Sequence, residues 1–152
     1  MDIKQKLETS LHEAMRSSNE AAKRSIRMIL SAIKLAETEK GKPLDEAAIL
    51  SIIQKEIKNC QEVIGEAQKT GRDDIIQENR ADIAVLESFL PKQLSDSEIE
   101  ELAKGVILEV GAKGKEDMGK VMKVLIPKLQ GRAPGDKVSQ IVKRYLEGSV
   151  QD

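Results

Sequence analysis

Nine lysines and arginines fall between residues 113 and 146 against three acids, Glu116, Asp117 and Asp136, a local balance of +6 in a chain whose net charge is −1. Side chains of this kind bind anions, phosphates above all, and make or break no covalent bond in doing so. The stretch LIPKLQGRAPGDKVSQ, residues 125–140, concentrates the pattern. An apolar helical run contains Pro127 and then breaks at Gly131, Ala133, Pro134 and Gly135, with Lys128, Arg132 and Lys137 around the break.

Helical spacing sorts these cations by face. From Met118, the residues Val121, Met122, Leu125, Ile126 and Leu129 follow at intervals of three and four and form one apolar stripe. Lys120 and Lys123 then lie on the opposite side. A last helix repeats the design, with Val138, Ile141, Val142 and Tyr145 inward and Lys143 and Arg144 outward. Pro127 has no N–H for the carbonyl of Lys123, so a bend is expected there. Gly131 permits a left-handed residue and hence a short reversal. Next to Arg132, the start of the last helix would offer unpaired N–H groups and a positive dipole end to an anion. On spacing alone Lys120, Lys123, Lys128, Arg132, Lys137, Lys143 and Arg144 are the candidates for contact with nucleic acid or another phosphate, with ordinary solvated helix surface as the competing account. A second basic strip, Arg24, Arg27 and Lys34, lies opposite the apolar side of an earlier helix; helix-surface ion pairs are the competing account of it.

The elements that must carry these residues are helical throughout, because apolar residues recur at three and four nearly everywhere. The pattern predicts helices at about 2–16, 20–40, 45–70, 73–90, 96–109, 117–130 and 136–147. Ile3, Leu7, Leu11 and Met15 line the first; Ala22, Ile26, Ile29, Leu30, Ile33 and Ala36 the second; Leu50, Ile53, Ile57, Cys60 and Ile64 the third; Ile76, Ile83, Leu86 and Leu90 the fourth. Pro91 disfavours helix at Leu90, and Ser95 with Glu98 reads as a capping box. The expected fold is therefore all-α, an N-terminal bundle of about four helices (1–92) followed by a small three-helix C-terminal domain (93–152). The helix at 96–109 carries five acids against Lys104, so the small domain is electrically polarised.

Composition narrows the function classes. Aromatic residues make up 1% of the chain, Phe89 and Tyr145 alone, which argues against recognition of single strands by base stacking. Cys60 is the one cysteine, so neither an internal disulfide nor a cysteine-based zinc site can form; its apolar helical position reads as a buried filler. No stretch approaches the roughly 20 apolar residues that span a bilayer, and the acids near the N-terminus read against a transit peptide. The expected location is cytoplasmic, with no membrane partner.

The strings DMGKVMKVLIPKLQGRAPG, LPKQLS, KRSIRMILSAIK and GRDD occur in this order, and on them the chain resembles the GatB/YqeY family over about residues 2–147. It looks like a stand-alone YqeY-like protein. The resemblance implies a C-terminal domain similar to the tail of the B subunit of the aspartyl/glutamyl-tRNA amidotransferase, which contacts tRNA while the chemistry takes place elsewhere. Matching positions are Gly119, Lys120, Val121, Met122, Pro127, Lys128, Gly131 and Arg132. Contact with the RNA backbone is carried over to Lys120, Lys128 and Arg132. After Ala133 the chain departs from the family, which often has Asp or Asn where Pro134 stands. Either Asp136 caps the last helix or Pro134 opens it early.

The resemblance also implies a carbon–nitrogen ligase activity with glutamine as amide donor, and the residues give it little support. There is no G-x-x-x-x-G-K-[ST] loop, no G-x-S-x-G elbow and no paired Cys and His. His12 reads as surface, Asp73 and Asp74 as a helix start, and Glu56, Lys58 and Arg80 as solvated faces. No cofactor, metal site or catalytic constellation is expected. The expected partner is tRNA or another structured RNA, in an accessory role to tRNA amidation, and beyond it an amidotransferase or aminoacyl-tRNA synthetase subunit. The alternative is an adaptor between proteins.

Overall fold

The computed structural model describes residues 2–151, with side chains through residue 148, and the described residues contain no strand. Seven helices follow one another: α1 Ile3–Ser17, α2 Glu20–Lys40, α3 Glu46–Thr70, α4 Asp73–Glu87, α5 Asp96–Val110, α6 Met118–Leu129 and α7 Gly135–Gln151, with a single 3-10 turn at Lys115–Asp117 before α6. Contacts divide the chain into two compact units, Met1–Pro91 and Lys92–Asp152.

Local chemistry starts and stops these helices. Asp2, Asn19, Asp45 and Ser95 accept backbone N–H bonds at the starts of α1, α2, α3 and α5, and Asp2 and Ser95 complete reciprocal capping boxes with Gln5 and Glu98. Gly41, Gly71 and Gly111 end α2, α3 and α5 in left-handed geometry, with φ near +70°, where a side chain would be strained. α4 stops at Glu87, short of the expected 90, and Ser88, Phe89 and Leu90 form turns onto Val85, Leu86 and Glu87.

In the N-terminal unit Leu7, Ile26, Ile29, Ile33, Ile53 and Leu86 are almost wholly buried in one core, with Cys60 among them. Glu37 ties this unit together by accepting from Lys4 Nζ at 3.0 Å and from the Leu44 N–H at 2.9 Å. The Leu44 N–H, then Lys4, keep its carboxyl below the usual carboxylate range. One expected core position is displaced and two unexpected residues are buried. Met15 is half exposed while Ala14 beside it is buried, and Ser25 joins the buried face of α2 with its hydroxyl unpaired.

The C-terminal unit has its own core of Ile99, Ala103, Val106, Val121, Leu125, Leu129, Val138, Val142 and Leu146. Ile126, expected in the stripe of α6, is 44% exposed. It sits at the edge of an apolar arc too wide for so small a bundle to cover.

Candidate nucleic-acid interface

α6 positions its cations by the width of its apolar stripe. Val121, Leu125 and Leu129 are buried, so Lys120 and Lys123 stand on the outer face, both exposed and without an ion pair among the described residues. On α7, Lys143 is likewise exposed and unpaired on the side away from Val138 and Val142.

The other expected contacts are engaged within the unit. Lys137 pairs with Asp96 at 2.5 Å, Arg144 with Glu100 at 2.7 Å and Lys128 with Glu109 at 2.9 Å, all three acids belonging to α5. One turn beyond Glu100 on α5, Lys104 lies over the Tyr145 ring at 5.2 Å, and Arg144 lies 5.8 Å from the same ring. Lys115 pairs with Glu147 at 2.7 Å, and that contact holds the Glu147 carboxyl below the usual range. The +6 balance of residues 113–146 therefore overstates the field at the surface, because acids outside that segment offset much of it.

Arg132 turns back on its own helix. Its Nε donates to the Leu129 carbonyl at 3.0 Å and its Nη2 to the Lys128 carbonyl at 3.2 Å, two of the oxygens left unpaired at a helix end. The reversal itself takes two left-handed residues, Gln130 at φ +51° and Gly131 at φ +75°, where one was expected. The Arg132 carbonyl then accepts from the Leu94 N–H at 2.8 Å, and Gln93 Nε2 donates to the Gly131 carbonyl at 3.1 Å, so the break is fastened to the segment before α5. Pro134 opens the last helix: α7 begins at Gly135 and the Pro134 carbonyl accepts from the Val138 N–H at 3.1 Å. Asp136, in the first turn, puts a negative charge near the dipole end where an anion was expected.

The second strip is divided. Arg24 donates to Asp82 of α4 at 2.6 and 3.3 Å and lies 3.4 Å from Glu78. This hydrogen bonding keeps its guanidinium pKa above the ordinary value, with desolvation opposing. Arg27 and Lys34 remain exposed, seven residues apart on α2, and make no ion pair among the described residues.

Cys60 lies near this cluster. Burial, then the charges of Glu56 and Asp82, push its thiol up to about 11 while Arg24 opposes them. At neutral pH it is a protonated filler. Among the described residues no group of three or more His, Cys, Asp or Glu side chains is arranged to hold a metal ion, and no helix is long and apolar enough to cross a membrane.

Helices alone, with cations displayed on one of them and acids lining another, define an all-α protein with a polarised three-helix unit near its C-terminus. The chain belongs to the YqeY-like family, whose profile, described as Yqey-like protein, matches residues 4–146. It is 34% identical over 150 residues to altered inheritance of mitochondria protein 41, mitochondrial, of Pyrenophora tritici-repentis, covering 97% of this chain and 78% of that one. The protein of the same name from Saccharomyces cerevisiae strain YJM789 is 27% identical over 151 residues, covering 93% and 82%. These relatives overturn the expectation of a cytoplasmic location. They are mitochondrial proteins by name, and the acids near the N-terminus, read above against a transit peptide, do not distinguish the two compartments.

Proposed function

We propose that the C-terminal unit binds structured RNA, tRNA foremost, through phosphate contacts, as an accessory module to tRNA amidation. The observation that carries this reading is the pair Lys120 and Lys123, exposed together on the outer face of α6 and without an ion pair among the described residues. Lys143 extends the set. Phosphate contacts of this kind position an RNA by its backbone and shape and need no stacking platform, which suits a chain with two aromatic residues.

The experiment is tRNA binding by the wild type beside Lys120→Glu/Lys123→Glu/Lys143→Glu at two salt concentrations, with folding checked by circular dichroism. The reading expects the variant to lose most of its affinity and the wild type to weaken as salt rises. Equal binding by both proteins would sink it.

A second reading, a protein adaptor, has its own support in α2. Met28 is 45% and Leu35 62% exposed, seven residues apart and next to the unpaired Arg27 and Lys34. It expects an amidotransferase or aminoacyl-tRNA synthetase subunit to bind with little salt dependence and to be lost on Met28→Asp/Leu35→Asp. Unchanged association in that variant would remove it.

A further inference from the structure

Asp96 and Glu100 are one turn apart on α5, and their partners Lys137 and Arg144 are two turns apart on α7. With Glu109 on Lys128, one acidic helix occupies three of the seven cations that the sequence marks for phosphate contact. The six side chains are between 30% and 67% exposed. Pairs this wet add little to stability and exchange partners readily. A carboxylate and a phosphate compete for the same donors, and a phosphate group brings more acceptor oxygens to a guanidinium or an ammonium.

We propose that Asp96, Glu100 and Glu109 set the affinity of the RNA interface, as internal carboxylates that occupy Lys128, Lys137 and Arg144 until a densely phosphorylated polyanion displaces them. This rests on the RNA-binding reading above. At rest Lys120, Lys123 and Lys143 stand exposed without an ion pair among the described residues, and the three paired cations are held by α5. A folded RNA presents many phosphates in one docking event, so once the first contacts form, the local phosphate concentration at the three paired cations is high. Each displaced carboxylate must then take up a solvent cation, which reduces the net release of counterions and flattens the salt dependence.

The test compares three full-length proteins for binding to unfractionated tRNA across a salt series: wild type, Asp96→Asn/Glu100→Gln/Glu109→Gln, and a control, Glu8→Gln/Glu13→Gln/Glu62→Gln. The control removes the same number of acids from exposed positions of the N-terminal unit that pair with none of these cations. Because Asp96 also stands in the first turn of α5, Glu100→Gln/Glu109→Gln is measured in parallel and circular dichroism follows the fold. The α5 triple variant is expected to bind about tenfold tighter than the control. Its slope of log affinity against log salt should steepen by up to about 3, roughly one for each carboxylate that no longer takes up a cation; the double variant should fall between. Equal affinity and slope in the two triple variants overturns the inference and leaves the RNA reading standing. Absence of tRNA binding in all the proteins overturns both.

Discussion

The Arg24 guanidinium meets both carboxylate oxygens of Asp82, 58 residues along the chain, at 2.6 and 3.3 Å. Asp82 is the more enclosed partner, its side chain 13% exposed against 37% for Arg24, and Arg24 has a second carboxylate in Glu78. The two deletions are therefore unequal. Arg24→Ala strands an enclosed carboxylate and should cost about 2–3 kcal/mol, whereas Asp82→Ala leaves a cation with solvent and Glu78 and should cost about 1 kcal/mol. Urea denaturation of the two single variants and the double variant measures the coupling; equal costs would contradict the asymmetry of the site.

Cys60 sets a pH signature. Its thiol is pushed up to about 11 in the folded chain from an ordinary 9.0, first by burial. A raised value favours the protonated, folded form, so its contribution is intact below about pH 9 and is lost as pH climbs toward 11. At pH 8 a thiol reagent should react with the folded protein about a hundredfold slower than with the urea-unfolded chain, since the thiolate fraction drops by that factor. Comparable rates would place the sulfur in solvent.

Arg132 separates charge from architecture. Its N–H groups close the end of α6 on the carbonyls of Leu129 and Lys128, a geometry that a lysine ammonium cannot reproduce in full. Arg132→Lys should lower stability by about 1 kcal/mol while tRNA affinity changes less than about twofold. Lys120→Glu/Lys123→Glu should show the reverse, with affinity lost and the unfolding curve nearly unmoved. A large affinity loss in Arg132→Lys at unchanged stability would make Arg132 a direct phosphate contact.

Leu125 is wholly buried where α6 meets the core of the C-terminal unit. Leu125→Ala should remove about 2–5 kcal/mol, a large share of what a three-helix core of this size supplies. Far-ultraviolet circular dichroism through urea would show the loss as an earlier transition in part of the helical signal. A cost under 1 kcal/mol would mean that the core collapses around the gap.

Much of the helical plan is legible in the amino-acid sequence, for reasons local to each element. Asn19, Asp45 and Ser95 announce helix starts because their side chains accept from N–H groups two or three residues on, and Gly41 and Gly71 announce stops because they tolerate positive φ. The stripe of α6 gave the outward placing of Lys120 and Lys123 by angular arithmetic alone. The same arithmetic misplaced Met15 and Ile126, since a stripe marks a direction and leaves open how far the neighbouring helices extend around it.

What the order of residues could not supply was the identity of the neighbours. Lys128, Lys137 and Arg144 look as open as Lys120 when charges are counted along the chain, yet each finds an acid of α5, at separations of 19, 41 and 44 residues, while Arg132 folds back on the helix it follows. A helix turns 100° per residue whatever it packs against, so its own faces can be worked out from spacing. Coulomb attraction depends on distance through space, and packing of α5 against α6 and α7 brings those acids to the cations while leaving Lys120 and Lys123 in solvent.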